Sequence, residues 1–169
     1  MKDGAYTVAM APFALGQAGA GTIQVVSGVT AQLTLDGVWI DVSQAPGQTA
    51  LNLTGANVTL NLENDVKLFS GAACAGILTP AGSTLQITAT PGATLQAKGG
   101  SDGAGIGGGN TQAAGDITIE NGQITAKGGS SAAGVGGGAG GVGGGAGGAG
   151  GNITLHGGTI AAFGGGQDF

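Results

Sequence analysis

The sequence predicts an all-β protein, a parallel and right-handed β-helix solenoid of about five to six coils with about 25–30 residues each. Three observations lead to this fold class. The glycine-rich segment 100–109 returns as residues 129–138, a shift of 29 residues. Apolar and polar residues alternate in short runs, which is typical of half-buried strands. Turn-forming pairs such as Asp36-Gly37 and Asn121-Gly122 separate these runs.

The predicted strands fall into three classes, one for each face of a coil. The first class begins at Leu33, Leu60, Leu85, Ile117 and Ile153. The second class follows it after a turn, at Ile40, Leu68, Leu95, Ile124 and Ile160. The third class lies at Leu51, Ile77, Ile106 and Val135, and one earlier set is formed by Val8, Leu15 and Ile23. Coils stacked roughly 4.8 Å apart would place each class in register with itself as an apolar ladder.

The chain is long enough for one domain, and we predict a single β-helix domain over residues 1–169. Residues 139–150 form a glycine-rich insertion in the repeat. This insertion is either a flexible loop or extended chain packed against a neighbouring glycine-rich segment. No polar capping element follows the last strand pattern, although solenoids need protected ends. We therefore expect uncapped ends that contact other molecules, or a fragment of a longer protein.

Composition narrows the partners that the chain can have. A hydrophobic fraction of 41% with a net charge of −5 argues against disorder, despite 41 glycines. Four Lys and Arg residues are too few for the basic surface that nucleic acid requires, so we expect no nucleic-acid partner. Cys74 is the single cysteine, which excludes an internal disulfide. No apolar run approaches the roughly 18 residues of a membrane span.

Two motifs point to a family of repeats. Residues 103–109 read Gly-Ala-Gly-Ile-Gly-Gly-Gly, and residues 115–129 combine Ile-Thr-Ile with a second strand that ends in Gly-Gly. This pattern resembles the glycine-rich β-helix repeats of large extracellular proteins from Gram-positive bacteria. The resemblance covers residues 22–166 and implies secretion, attachment to the cell surface, and an adhesive or carbohydrate-binding role. It supplies no catalytic residue.

An exposed aromatic pair is the candidate ligand site. Trp39 lies between apolar Val38 and Ile40, so its side chain should point outward. We expect Phe69 to occupy the equivalent place one coil later. The two aromatic side chains would line a shallow groove for sugar rings, and Asp41 and Lys67 would flank it. Packing under a loop or a neighbouring domain is the alternative interpretation of these residues.

Acidic residues provide the candidates for a metal site. An outward ladder is predicted at Asp36, Glu63, Thr88, Glu120 and His156. Stacked carboxylates could bind Ca²⁺ through their oxygen atoms, which makes Asp36, Glu63 and Glu120 the candidate ligands. The simpler interpretation is that they are solvated turn residues. Glu63 and Glu120 would lie about 10 Å apart, which is too far for one ion. We expect no other cofactor.

Three further patterns are interpreted as structural. Residues 103–108 match the GxGxxG sequence motif of a dinucleotide-binding loop, but no helix follows whose N-terminus could hold a pyrophosphate. His156 is the single histidine and has no predicted partner, so we assign it a structural or surface role. Ice binding would need a regular threonine ladder. The corresponding positions are Thr34, Asn61, Gln86, Thr118 and Thr154, and this ladder is interrupted.

Together these features predict a non-catalytic, extracellular or cell-surface module that binds carbohydrate or a host surface, like an adhesin. The alternative is a structural spacer or a self-assembling unit that stacks through open coil ends or flat glycine faces. A polysaccharide-degrading enzyme and an ice-binding protein fit the sequence less well.

Overall fold

The computed structural model describes residues 3–9, 18–140 and 146–165. These residues form sixteen β-strands and no helix. The strands are β1 (Gly4–Ala9), β2 (Ile23–Gln24), β3 (Thr30–Asp36), β4 (Trp39–Asp41), β5 (Leu51–Asn52), β6 (Asn57–Glu63), β7 (Asp65–Phe69), β8 (Ile77–Leu78), β9 (Thr84–Ala89), β10 (Thr94–Lys98), β11 (Ile106–Gly107), β12 (Asp116–Ile119), β13 (Gln123–Lys127), β14 (Val135–Gly136), β15 (Ile153–Leu155) and β16 (Thr159–Phe163). The described part of the chain has no helix with the length and apolar character of a transmembrane segment.

Three parallel sheets form the faces of a β-solenoid, which confirms the predicted fold class. Sheet 1 has the order β1-β3-β6-β9-β12-β15, and sheet 2 has the order β4-β7-β10-β13-β16. Sheet 3 has the order β2-β5-β8-β11-β14. Along the chain, a strand of sheet 3 is followed by one of sheet 1 and then by one of sheet 2. Each circuit therefore adds one strand to every sheet.

The core lies inside this coil and consists of stacked aliphatic side chains. In sheet 1 the fully buried ladder is Leu33, Leu60, Ile87 and Ile119. In sheet 3 the residues predicted as the third class lie in register, with Leu51, Ile77 and Ile106 fully buried. Each fully buried Leu or Ile stabilises the fold by about 1.5–3 kcal/mol. The predicted residue Leu15 lies outside the described residues.

The predicted ladders of the first and second strand classes are wrong in one detail. At one step in each ladder, the observed partner lies two residues away from the predicted one. Leu60 lies opposite Ile87, whereas Leu85 lies opposite Val58. In sheet 2 the same slip occurs between Leu68 and Leu95. Strand side chains alternate with a period of two, so a shift of two residues leaves the inward and outward pattern unchanged. The alternation in the sequence therefore shows which residues are buried but not which residues lie opposite each other.

The glycine motif is buried, so it does not form a flat exposed face. All of residues 103–109 are buried. The chain that follows them folds back over the outer side of sheet 3. There the backbone N–H of Asn110 donates to the Ala73 carbonyl at 2.9 Å, and the Leu78 side chain is buried, with 9% of its surface exposed. At Gly107 (φ 133°) a Cβ would overlap the carbonyl oxygen of Gly136 in the next coil. Glycine is therefore required at this layer of close backbone packing.

The described residues of the 139–150 insertion, 139–140 and 146–150, form backbone hydrogen bonds with neighbouring chain, although most of residues 146–150 are exposed. The N–H of Ala139 donates to the Asp102 carbonyl at 2.9 Å, and the N–H of Gly148 donates to the Gly138 carbonyl at 2.9 Å. The backbone N–H of Ala114 donates to the Ala149 carbonyl at 2.9 Å. Beyond the insertion, the last described coil is more open than those before it. The side chains of Ile153 and Leu155 are 40% and 55% exposed.

Candidate functional site

The outward side of sheet 2, here called the sheet 2 face, carries the aromatic candidates. Its side chains form two rows that run across the strands. The first row is Trp39, Lys67, Gln96, Thr125 and Ala161. The second row is Asp41, Phe69, Lys98, Lys127 and Phe163. The strands alternate between buried and more exposed positions, so residues two apart along one strand share this face.

All four predicted ligand-site residues lie on this face, and Ile40 lies opposite Leu68 as predicted, but Phe69 does not lie opposite Trp39. Phe69 lies opposite Asp41, and the residue opposite Trp39 is Lys67. The prediction that Phe69 is the equivalent of Trp39 is therefore wrong, because the two aromatic residues occupy different rows. Trp39 is half-buried and points outward between buried Val38 and Ile40.

Lys67 and Trp39 form a cation–π contact. The Lys67 Nζ atom lies 4.9 Å from the centroid of the Trp39 ring. Contacts of this kind contribute about 0.5–1 kcal/mol at exposed sites. The contact joins β4 to β7, and it holds the ammonium group over the ring.

Three residues of the second row were not predicted as site residues from the sequence. Lys98 and Lys127 lie opposite each other, and Phe163 lies opposite Lys127. A signal for the lysines is present in the sequence, since they are 29 residues apart, the same shift that relates the glycine motifs. Phe163 follows Lys127 by 36 residues because the insertion lengthens that coil.

Every lysine on this face has an aromatic residue opposite it on the neighbouring strand. The three pairs are Trp39–Lys67, Phe69–Lys98 and Lys127–Phe163. The chain has four Lys and Arg residues and six aromatic residues in all. Three of the cations and three of the aromatic residues therefore share one sheet face, although charged residues make up 8% of the chain and aromatic residues 4%.

An open groove of about 510 Å³ runs beside the second row, where sheet 2 ends. Lys98 and Lys127 line it together with the hydroxyl-bearing residues Ser101 and Ser130. Two Gly-Gly pairs that follow the lysines also line the groove. At Gly100 a Cβ would overlap the carbonyl oxygen of Gly71 in the preceding coil, so glycine is required there for the coils to pack.

The predicted acidic ladder does not exist as one row. Asp36 and Glu63 lie opposite each other on sheet 1. Thr88 lies opposite Asn61, in the row that continues to Glu120 and His156. The two-residue slip between β6 and β9 separates the acids. Among the described residues, no three His, Cys, Asp or Glu side chains come together as a metal site.

Glu120 and His156 form a hydrogen-bonded pair on sheet 1. The Nδ1 atom of His156 lies 2.8 Å from Oε2 of Glu120, and Nε2 of Gln86 donates to Oε1 at 2.7 Å. These hydrogen bonds, first that from Gln86 and then that from His156, lower the pKa of Glu120. The His156 and Glu120 side chains are 57% and 31% exposed, so the pair is accessible to solvent. The three side chains join three successive coils.

Comparisons of this chain with protein-family models, curated proteins and solved structures find no match. The functional candidates lie on two outward faces of the solenoid, those of sheets 1 and 2. The sheet 2 face combines cations, aromatic rings and a groove. Polar side chains cover the outward side of sheet 1.

Proposed function

We propose that this chain is a non-catalytic carbohydrate-binding module that uses the sheet 2 face to hold a polysaccharide. One observation carries the proposal: Trp39, Phe69 and Phe163 lie on the same outward face of one parallel sheet. Aromatic rings on such a surface present apolar area to the C–H face of a sugar ring, and polar neighbours bind its hydroxyls.

The scaffold suits an extended ligand. Strands of a parallel sheet repeat at roughly 4.8 Å, which is close to the length of one sugar unit in an extended polysaccharide. Side chains fixed on strands lose little conformational freedom when they bind, so less of the binding free energy is offset by ordering. A row of five strands therefore offers a succession of similar contacts along a chain-like ligand.

The setting that we propose for this binding is the bacterial cell surface. The chain resembles extracellular glycine-rich repeats in its motifs, and its net charge of −5 is spread over few charged residues. An adhesin-like role, in which the module contacts glycans of the wall or of a host, agrees with both observations.

A glycan array followed by affinity measurement tests the proposal. The wild-type protein should bind at least one polysaccharide, and Trp39→Ala should weaken that binding about tenfold by removing the stacking surface. Phe69→Ala serves as a second variant in case Trp39→Ala disturbs folding, which far-ultraviolet circular dichroism would reveal. Gln32→Ala, at an exposed position of sheet 1, is the matched control and should bind like wild type. Failure of the wild-type protein to bind any glycan would refute the proposal.

The last described coil supports a second candidate, self-assembly through coil ends. Strands β14, β15 and β16 pair with other described strands on one side only, and Leu155 is 55% exposed. Such an edge offers backbone groups and apolar side chains to another strand. If copies stack there, Leu155→Lys should reduce filaments or oligomers in electron micrographs and in sedimentation. A wild-type protein that sediments as a monomer at all concentrations would exclude this candidate.

A further inference from the structure

We propose that Asn121 is a site of self-catalysed deamidation, in which the backbone nitrogen of Gly122 attacks the Asn121 side-chain amide and the backbone N–H of Ala89 assists. The modification lies at the corner between β12 and β13, and it does not depend on the proposed carbohydrate-binding function. Three features lead to it: the residue that follows Asn121, the hydrogen bond at its side-chain oxygen, and the state of the two nitrogen atoms that react.

Asn121 is the asparagine of this chain that precedes a glycine. The other six asparagines, at positions 52, 57, 61, 64, 110 and 152, precede residues that carry a side chain. A Cβ on the following residue hinders access to its backbone nitrogen, and glycine has none. Asn121 is also exposed, so water can reach its amide group.

A backbone donor from the preceding coil is directed at the Asn121 side-chain oxygen. The N–H of Ala89, the last residue of β9, donates to Oδ1 of Asn121 at 2.6 Å. When a nucleophile adds to an amide carbon, negative charge develops on the oxygen, and a donor already aimed at that oxygen stabilises the charge. Ala89 therefore supplies at Asn121 the kind of donor that forms an oxyanion hole.

The nucleophile and the leaving group are both unengaged within the described part of the chain. There the N–H of Gly122 and the side-chain Nδ2 of Asn121 donate no hydrogen bond. Attack by the adjacent backbone nitrogen closes a five-membered ring, and the two groups are held in proximity because they are neighbours in the chain. Neither nitrogen has to leave a protein partner before it reacts.

The reaction balances with water as its co-reactant. The Gly122 nitrogen forms a bond to Cγ of Asn121 and gives its proton to solvent. The Cγ–Nδ2 bond breaks, and the nitrogen takes a proton from solvent and leaves as ammonia. Water then opens the resulting succinimide at either carbonyl, which gives aspartate or an isoaspartate whose main chain passes through the former side chain. No atom changes its oxidation state.

Both products would alter the contacts of this corner. The carbonyl of Gly122 accepts from the N–H of Thr159 in the next coil at 2.8 Å. An isoaspartate adds one methylene carbon to the main chain at position 121, so this carbonyl would shift relative to Thr159. Either product also adds a carboxylate next to that of Glu120, and like charges at such short range repel. We expect the modified chain to unfold at a lower urea concentration.

Incubation of the folded protein in mildly alkaline buffer, followed by tryptic digestion and tandem mass spectrometry, tests the proposal. Trypsin cleaves after Lys98 and Lys127, so Asn110 and Asn121 lie in the same peptide. Asn110 is the internal control, because it precedes Thr111 and its Oδ1 has no hydrogen-bond partner among the described residues. Asn121 should deamidate at least about tenfold faster than Asn110. Equal rates at the two positions would overturn the proposal.

The same incubation in urea separates the contribution of the fold from that of the sequence. Unfolding removes the Ala89 N–H from Oδ1 but leaves Asn121 followed by Gly122. We expect deamidation of Asn121 in the folded chain to be several-fold faster than in the unfolded chain. A folded rate equal to or below the unfolded rate would mean that Ala89 gives no assistance, and the proposal would fail.

The products and one variant identify the nucleophile. A succinimide yields both aspartate and isoaspartate, whereas direct attack by water yields aspartate alone, so aspartate alone would refute attack by Gly122. Gly122→Ala should slow the reaction several-fold, and a folded variant that reacts at the wild-type rate would also refute it. Because Gly122 has φ 112° and a Cβ there would lie 2.9 Å from that of Ala89, circular dichroism must first show that this variant folds. The product ratio of the wild-type protein decides the question if the variant does not fold.

Discussion

The outward faces of sheet 1 and sheet 2 share one core but use their polar residues differently. On sheet 1 the side chains bond to each other across coils. Thr88 donates to Asn61 at 2.6 Å, and Gln86 donates to Glu120 at 2.7 Å. On the sheet 2 face, the described side chains form the Lys67–Trp39 contact and the Thr94–Asp65 bond, while Lys98 extends into solvent.

This difference indicates that the two faces have different roles, one in stability and one in binding. Hydrogen bonds between coils stabilise the stack, so the sheet 1 side chains that form them help to hold the solenoid together. On the sheet 2 face, the side chain of Lys98 is exposed to solvent, so its ammonium group is accessible to a ligand. Substitutions on sheet 1 should therefore change stability, whereas substitutions on the sheet 2 face should mainly change binding.

The largest effect is expected from the core that both faces share. Leu95 is fully buried in β10, directly before the outward residue Gln96. Leu95→Ala should lower the free energy of unfolding by about 2–5 kcal/mol, through lost burial and the cavity left behind. Urea denaturation followed by circular dichroism and by the fluorescence of Trp39, the single tryptophan, measures this loss.

Gln96→Ala is the control for Leu95→Ala, because it truncates the next side chain on the exposed side of the same strand. Its free energy of unfolding should stay within about 0.5 kcal/mol of wild type. Equal losses for the two variants would contradict the assignment of Leu95 to the interior. Loss of the Trp39 signal before the circular dichroism signal would show that sheet 2 unfolds separately.

The sequence predicted the fold because its two signals are local. Alternation identifies inward residues such as Leu60 and Leu85, and glycine recurrence identifies the coil. Register between coils is a different property, because turns of unequal length shift the strands and a shift of two residues leaves the pattern intact. That slip joined Asp36 to Glu120 in one predicted ladder. The predicted equivalence of Phe69 and Trp39 failed for another reason: Ile40 and Leu68 lie opposite each other as predicted, but Trp39 precedes Ile40 whereas Phe69 follows Leu68.

The candidate site was predicted in part. Trp39, Asp41, Lys67 and Phe69 all lie on the predicted face, but their rows depend on register. Lys98 and Lys127 could have been found from their 29-residue spacing. The layer that covers sheet 3 could not, since glycine backbone packed on glycine backbone leaves no pattern of side chains to recognise.

A matched pair of threonine substitutions sharpens the comparison of the two faces. The Thr88 hydroxyl bonds to Asn61 across coils on sheet 1, whereas that of Thr125 on sheet 2 bonds to no described side chain. Thr88→Val should lower the free energy of unfolding by about 0.5–1.5 kcal/mol, because it removes that hydrogen bond. Thr125→Val should change it by less than about 0.5 kcal/mol. Thermal and urea denaturation of both variants would measure the difference. Equal destabilisation would contradict the different roles of the two faces.

The smallest effect is expected from Glu120, and it should depend on pH. The hydrogen bonds from Gln86 and His156 lower the pKa of Glu120 in the folded protein below its ordinary value of 4.5. The stabilisation from this carboxylate is therefore fully present above about pH 4.5 and is lost as the pH falls through the lowered value. In Glu120→Gln, the free energy of unfolding measured by urea denaturation should fall less steeply as the pH is lowered through the acid range.

Glu63→Gln is the matched control for this last prediction, since Glu63 is an exposed carboxylate at the end of β6 and accepts no side-chain hydrogen bond from the described residues. Its profile should follow that of wild type through the acid range. If Glu120→Gln and wild type lose stability along the same curve, the bonds across coils at Glu120 contribute nothing to folding. The outward side of sheet 1 would then be a solvated surface, and only the core and the backbone ladders would hold its coils together.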